Sequence, residues 1–260
     1  MSQKKDTECC PPSAPPPKVP NPVAATGSYR PTGKFESVGD FKEVYTTGPD
    51  DAEHALIVIY DIFGFWETTL RGSDLLASHL LLVNPHKIYM PDVFQGKPFP
   101  PEKDGDKDTL NNFFSGTAKL DDRLPEVVKF AEDLKKKYKT VSILGYCWGG
   151  KLTLLALADA NGPFTAGAAV HPAMIANSDG DNLAKPLGFY PSKGEPGDVV
   201  QHIAHAMLQK PFHEKCDFHL YNTVHHGWAA ARANLDDPEN SKQFDDVYQR
   251  VADYLALVDK

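Results

Sequence analysis

Cysteine is scarce and unevenly spread in this chain of 260 residues: Cys9, Cys10, Cys147 and Cys216 are the whole supply. Four thiols so placed make no disulfide framework, which sets aside the small disulfide-stapled scaffolds. No apolar run approaches the ~18 to 20 residues that a membrane helix needs. The opening Met1-Ser2-Gln3-Lys4-Lys5-Asp6 has no apolar stretch behind its lysines, unlike a secretory signal. Positive charge is in deficit as well. The 27 Lys and Arg against 35 Asp and Glu leave a formal net charge of -8, a poor match for nucleic acid or an anionic membrane. These absences point to a cytoplasmic protein with neither nucleic acid nor a membrane as its main partner; a monomer or homodimer acting on a small molecule is expected.

What is present is ordinary globular material, 41% hydrophobic and 24% charged, long enough for one large core. Residues 1–34 stand apart. They hold eight of the 22 prolines, and their only branched aliphatic residues are Val19 and Val23. Such a segment buries too little surface to offset its ordering entropy, so a disordered or extended tail is expected, with the domain at 35–260. Cys9-Cys10 lie in that tail with no further Cys or His nearby to complete a metal site, and read as a solvated pair.

Beyond the tail, strand and helix patterns alternate. Phe41 to Thr47 alternates as an edge strand does. Ala55 to Tyr60 is a continuous apolar run, as in a strand covered on both faces. Thr68 to Val83 reads as a helix with Leu70, Leu75, Leu76, Leu80 and Val83 inward. His86 to Met90 is a third strand, and Gln95 to Thr109 a long surface loop able to shape a pocket rim. Leu124, Val127, Val128, Ala131, Leu134 and Tyr138 form a helical stripe. Later strands are expected at Thr165–Val170, Pro186–Tyr190 and Cys216–Tyr221, and helices at Val199–Leu208 and Ser241–Val258. The alternation implies an α/β, doubly wound, mostly parallel sheet with helices on both faces and ligands at the strands' carboxyl ends.

Thr140 to Lys151 carries the chemistry. A β-branched strand runs into Gly145-Tyr146-Cys147-Trp148-Gly149-Gly150, and Leu152 to Ala158 enters a helix. Gly-x-Cys-x-Gly has the form of a nucleophile elbow with cysteine in the place of serine. The sharp turn strains the central residue, and side chains two positions either side would collide with strand and helix. The sulfur then stands clear of the sheet, and N–H groups at the helix start face a developing oxyanion. Gly145 to Lys151 also fits seven positions of a phosphate-binding loop. The eighth is Leu152, which cannot ligate the Mg²⁺ such a loop holds, so the nucleotide reading fails.

A thiol needs a base, and the base an orienting acceptor. In this fold type the chain order is nucleophile, acid, histidine. His225-His226-Gly227 follow the last strand, where a loop returns over the elbow. His171 ends an earlier strand but precedes the acid candidates, while His202, His205 and His219 fall within a helix or a strand. For the acid, Asp198 follows the Pro186–Tyr190 strand within Gly194-Glu195-Pro196-Gly197-Asp198. Glu195 and Asp181 are its rivals, and position after the strand favours Asp198.

Four motifs together, Asp61-Ile62-Phe63-Gly64, the cysteine elbow, Gly194 to Asp198 and His226-Gly227-Trp228, resemble the dienelactone hydrolase family, of carboxymethylenebutenolidase type and its fungal or animal branch. The resemblance spans about Phe41 to the C-terminus. It implies an α/β-hydrolase fold and a cofactor-free hydrolase of lactones or activated esters. Cys147 would be the nucleophile, His226 the base and Asp198 its orienter, with an oxyanion hole from the N–H groups of Ile62 and Trp148. His226 is implied over His225 because it directly precedes the motif's glycine. Bacterial members carry glutamate where Asp61 stands, a carboxylate that poises the resting thiol. They also hold the substrate carboxylate with two arginines, for which Arg232 and Lys97 are the counterparts here. Two other classes compete: a non-catalytic binding protein built on the same scaffold, and a thiol redox sensor, which needs a resolving partner that Cys216 supplies poorly.

Overall fold

Branched aliphatic runs make the strands and amphipathic stripes the helices, and the computed structural model, which describes residues 29–260, assembles them around one eight-stranded sheet. The strands are β1 (Lys34–Val38), β2 (Phe41–Thr47), β3 (His54–Ile59), β4 (His86–Pro91), β5 (Thr140–Tyr146), β6 (Gly167–Val170), β7 (Leu187–Tyr190) and β8 (Asp217–Phe218). The helices are α1 (Glu67–Leu80), α2 (Lys107–Ser115), α3 (Leu120–Lys135), α4 (Trp148–Ala156), α5 (Asn177–Asp181), α6 (Gly197–Leu208) and α7 (Pro238–Val258). The spatial order is β1-β2-β4-β3-β5-β6-β7-β8, with β2 antiparallel to both of its neighbours and the remaining pairs parallel.

That order fixes where a ligand can sit. From β3 the chain passes through α1 to β4 on one side, and from β5 through α4 to β6 on the other. Right-handed crossovers in opposite directions put α1 and α4 on opposite faces of the sheet. Accordingly α1 packs on α7 and α3 packs on α4. The crevice between the carboxyl ends of β3 and β5 is then the switch point at which doubly wound sheets bind ligands. Every residue of β3, β4 and β5 is buried, as strands covered on both faces must be.

Several elements differ from the sequence reading. β2 is not the edge, because the short strand β1 pairs outside it through a bulge at Glu36 to Val38. Helix α1 stops at Leu80, so Val83 points to solvent at 72% exposure and Leu75 is only half-buried. The expected surface loop after Gln95 contains a single 3₁₀ turn (Pro101–Lys103) and then enters α2, whose N-cap Asp106 accepts from Thr109 N. The last strand shrinks to Asp217–Phe218, with Tyr221 bridging to Ser192 beyond it.

The end of the expected tail is held on the domain. Asp74 of α1 accepts from Tyr29 Oη at 2.5 Å, Tyr45 Oη at 2.7 Å and Thr32 N at 2.7 Å. Burial and the adjacent Asp74 carboxylate push both tyrosine hydroxyls well above their ordinary range. The rest of the tail, Cys9-Cys10 included, lies outside the described residues. No helix among the described residues is long and apolar enough to cross a membrane.

At the amino ends of the strands the C-terminus is clipped to the sheet. Asp259 Oδ2 meets His86 Nε2 at 3.0 Å and Oδ1 accepts from Ser142 Oγ at 2.9 Å, with all three side chains buried. Asp259→Ala would strip two buried polar groups of their partner. We expect a loss of about 3 kcal/mol in unfolding free energy, read by urea denaturation. A change within ~0.5 kcal/mol would show that the clip does not hold the C-terminus.

Next to this clip, His54 Nδ1 lies 2.8 Å from Thr140 Oγ1 and its ring stacks on His86. Burial first, and the neighbouring His86 second, hold the His54 pKa below its ordinary value. His225 is likewise lowered, chiefly by burial. The folded protein therefore binds fewer protons than the unfolded chain as pH falls through about 6.5, the unfolded histidine value. Stability contributed by the neutral rings is present above that pH and lost below it. The urea midpoint should fall between pH 7.5 and 5.5, and fall less in His54→Gln; an equal fall in the variant would remove His54 from the account.

Candidate active site

The elbow is built by close approach. Cys147 follows β5 with φ 53° and ψ -113°, a region non-glycine residues avoid, and α4 begins at the next residue. A Cβ on Gly145 would run into the carbonyl of Gly149, and one on Gly149 into the carbonyls of Ile59 and Tyr60. Glycine at both positions lets the start of α4 press on the ends of β5 and β3. The bend is held from both sides. Cys147 N donates to Val170 O at 3.2 Å, and Cys147 O accepts from Ala173 N at 2.9 Å and Lys151 N at 3.2 Å.

Trp148, first residue of α4, is fully buried, and its indole Nε1 donates to Ala118 O at 2.9 Å. A first-turn N–H has no acceptor within its own helix, which suits it to a developing anion. Ile62 lies just past β3, buried, its carbonyl accepting from Phe99 N at 2.8 Å. The press of Gly149 on Ile59 and Tyr60 brings this loop beside the elbow. Asp61 acts here as a backbone strap: Oδ1 accepts from Phe63 N at 2.9 Å and Oδ2 from Ala231 N at 3.1 Å. It thereby ties the loop after β3 to the loop that carries the histidines.

The histidine loop is fixed along its length. Asn240 Nδ2 donates to Trp228 O at 2.9 Å, Tyr248 Oη to Ala229 O at 2.8 Å and Thr68 Oγ1 to Ala230 O at 2.6 Å. His226 is buried, and its Nδ1 lies 2.6 Å from Glu195 Oε1, with both side chains 2% exposed. Glu195 is itself positioned by Ser192, whose N–H and Oγ both donate to the carboxylate. A carboxylate on Nδ1 holds the proton there and leaves Nε2 as the basic nitrogen. His225 turns elsewhere, its Nε2 lying 3.1 Å from Arg232 O.

The acid candidates separate here. Asp198 is exposed in the first turn of α6, and Glu195, three residues earlier, reaches the histidine. Pro196 caps α6, so the chain is already helical at Asp198, where a carboxylate complements the helix dipole. Asp181 is away from the site, 2.8 Å from His202 Nε2.

The structure also brings in a residue that the sequence reading passed over. His171, fully buried with φ 37° at the end of β6, meets the His226 ring edge-on at 5.1 Å and the Trp228 ring at 5.5 Å. His171 follows Val170, whose carbonyl holds Cys147 N, so the histidine loop and the elbow share one end of the sheet. Its signal was a histidine between a strand end and Pro172, which the expected chain order of the triad discarded.

The two substrate-binding candidates separate. Arg232 is buried beside this loop, with its guanidinium 5.1 Å over the Phe63 ring and Nη2 2.9 Å from Asp104 Oδ1. Lys97 is exposed on the segment after β4, placed by a backbone turn from Lys97 N to Phe94 O. Among the described residues, no group of three or more His, Cys, Asp and Glu is arranged to hold a metal ion.

Known proteins agree with this architecture. A family profile described as "Dienelactone hydrolase family" matches residues 43–258. An uncharacterised AIM2 family protein of Schizosaccharomyces pombe is 31% identical over 256 residues, covering 95% of this chain and 97% of that protein. Hydrolase tropI of Talaromyces stipitatus is 28% identical over 218 residues, covering 77% and 81%. Among solved structures, the dienelactone hydrolase-like promiscuous phosphotriesterase P91 from metagenomic libraries aligns with TM-score 0.57 at 13% identity, covering 86% of this chain and 97% of that one. That likeness supports the α/β-hydrolase fold alone. With the matched profile spanning β2 to α7, the chain belongs to the dienelactone hydrolase family.

Proposed function

We propose that this hydrolase cleaves lactones or activated carboxylic esters with Cys147 as nucleophile, His226 as base and Glu195 as the orienter of His226. The observation that carries the reading is the buried Glu195–His226 contact at the same end of the sheet as a positive-φ cysteine. His226 Nε2 takes the thiol proton, and the thiolate adds to the substrate carbonyl. The tetrahedral oxyanion accepts from the N–H groups of Ile62 and Trp148. The C–O bond then breaks, and the leaving oxygen takes the proton back from His226, leaving a thioester on Cys147. Water, deprotonated by His226, adds to the thioester, and the departing thiolate is reprotonated. A lactone's alcohol stays tethered to the acyl group through the first half, while an enol leaves with little assistance. Asp61 contributes by fixing the Ile62 loop against the histidine loop, and its place just past β3, the strand that pairs with β5, suits it to poising the thiol.

The redox reading has a geometric obstacle. Cys216 directly precedes β8, three strands from β5, which places it roughly 14 Å across the sheet. A disulfide needs Cα atoms within about 7 Å. Burial also raises the Cys216 thiol pKa, against reactivity. A panel of lactones and aryl esters, assayed with chelator present, tests the hydrolase reading. Turnover dependent on Cys147 supports it, and no turnover of any member would leave a binding protein on a hydrolase scaffold.

A further inference from the structure

The wall beside the elbow is aromatic from one end to the other. Ring contacts run from Trp148 to Phe94 at 4.8 Å, Phe94 to Phe113 at 5.1 Å, Phe113 to Phe99 at 5.5 Å and Phe99 to Phe63 at 6.4 Å. At its far end the Arg232 guanidinium lies over Phe63, and the arginine stem packs so tightly on Gly227 that a Cβ there would sit 2.7 Å from Arg232 Cδ. Arg232 thus touches the residue that follows Ile62 and lies within the loop of His226.

A buried guanidinium against both the loop of Ile62 and the loop of His226 would draw a substrate carboxylate to its side of the site. In this chain a carboxylate is already there. Asp104 Oδ1 accepts from Arg232 Nη2 at 2.9 Å, with the arginine side chain 2% exposed and the aspartate 19%. Asp104 is held in that position by its own backbone, its N–H donating to Pro101 O at 3.1 Å at the end of the 3₁₀ turn. Phe99, just before that turn, is stitched to Ile62 O. Asp104 therefore comes with a segment fixed to the site rather than from a wandering side chain.

We propose that Asp104 sets the charge class of the substrate: it is the internal counter-ion of Arg232, and it confines the cleft to acyl groups that carry no carboxylate. The inference rests on the hydrolase reading above. With Asp104 in place, a second carboxylate beside Arg232 meets a like charge and a cation already neutralised, in a region of low solvent access. Removing the aspartate charge takes that like charge away from a guanidinium that a planar carboxylate fits.

The experiment compares para-nitrophenyl valerate with the para-nitrophenyl half-ester of glutaric acid, two acyl chains of equal carbon count that differ in the terminal carboxylate. Wild type should favour valerate in kcat/KM. In Asp104→Asn the ratio of half-ester to valerate should rise at least about tenfold. The rise should vanish in the double variant Asp104→Asn/Arg232→Gln. A wild type that prefers the half-ester overturns the proposal without any variant. So does a ratio in Asp104→Asn within twofold of wild type, or a rise that survives loss of Arg232. Failure of wild type to cleave either ester would remove the hydrolase reading and this inference with it, whereas a wrong ratio in an active enzyme removes this inference alone.

Discussion

Cys147→Ala should lose ester and lactone turnover by about a thousandfold or more in kcat/KM while keeping its fold. The expectation of an intact fold is specific to this site. The strain at φ 53° belongs to the backbone and the Cβ, which alanine keeps, and the frame is set by Gly145 and Gly149. Only one sulfur atom leaves the interior, a cost of about 1 kcal/mol. The denaturant midpoint should therefore hardly move as activity disappears. A variant that keeps more than about a tenth of the wild-type rate would remove the thiol from the chemistry. A variant that unfolds would instead be answered with Cys147→Ser, which should fold and react slowly, since a hydroxyl is a weaker nucleophile than a thiol.

The second large effect separates two carboxylates three residues apart. Glu195→Gln is expected to lower kcat by about a thousandfold, because an amide can donate where His226 needs an acceptor and so favours the wrong tautomer. Ser192 N and Oγ, which also donate to Glu195, would lose their charged acceptor at the same time. Asp198→Ala should change kcat by less than about threefold. It lies exposed on α6, and its loss costs only a few tenths of a kcal/mol at a helix N-terminus. Steady-state kinetics on one aryl ester decides the pair. If Asp198→Ala is crippled and Glu195→Gln is not, the acid assignment reverts to Asp198 and the buried contact with His226 is only structural.

The elbow was legible because its geometry constrains residue type: backbone carbonyls stand where two side chains would be, and only glycine fits at both positions. The central strands were legible because burial on both faces demands uninterrupted apolar runs. The acid was not. Within Gly194-Glu195-Pro196-Gly197-Asp198 either carboxylate follows β7, and what separates them is that Pro196 starts a helix, turning Asp198 outward and leaving Glu195 behind it. That distinction depends on where the helix begins, which sequence periodicity places only to within a few residues. Arg232 and Asp104, 128 residues apart, share no local pattern at all. His171 escaped for a different reason, since its role is to pack on His226 and triad order says nothing of neighbours. Strand β1 starts at the last residue of the expected tail, and Tyr29 and Thr32 just before it are recruited by Asp74 from α1.

Everything in the proposed cycle passes through an acyl group carried on one sulfur. Mixing the protein with an activated aryl ester, quenching with acid within the first turnovers and sequencing the peptides by mass spectrometry looks for that group directly. The account predicts one acyl group, on the peptide containing Cys147 and nowhere else, accumulating further when Glu195→Gln slows hydrolysis of the thioester more than its formation. Steady ester turnover with Cys147 unmodified at every time point, or with the acyl group on another residue, would contradict it.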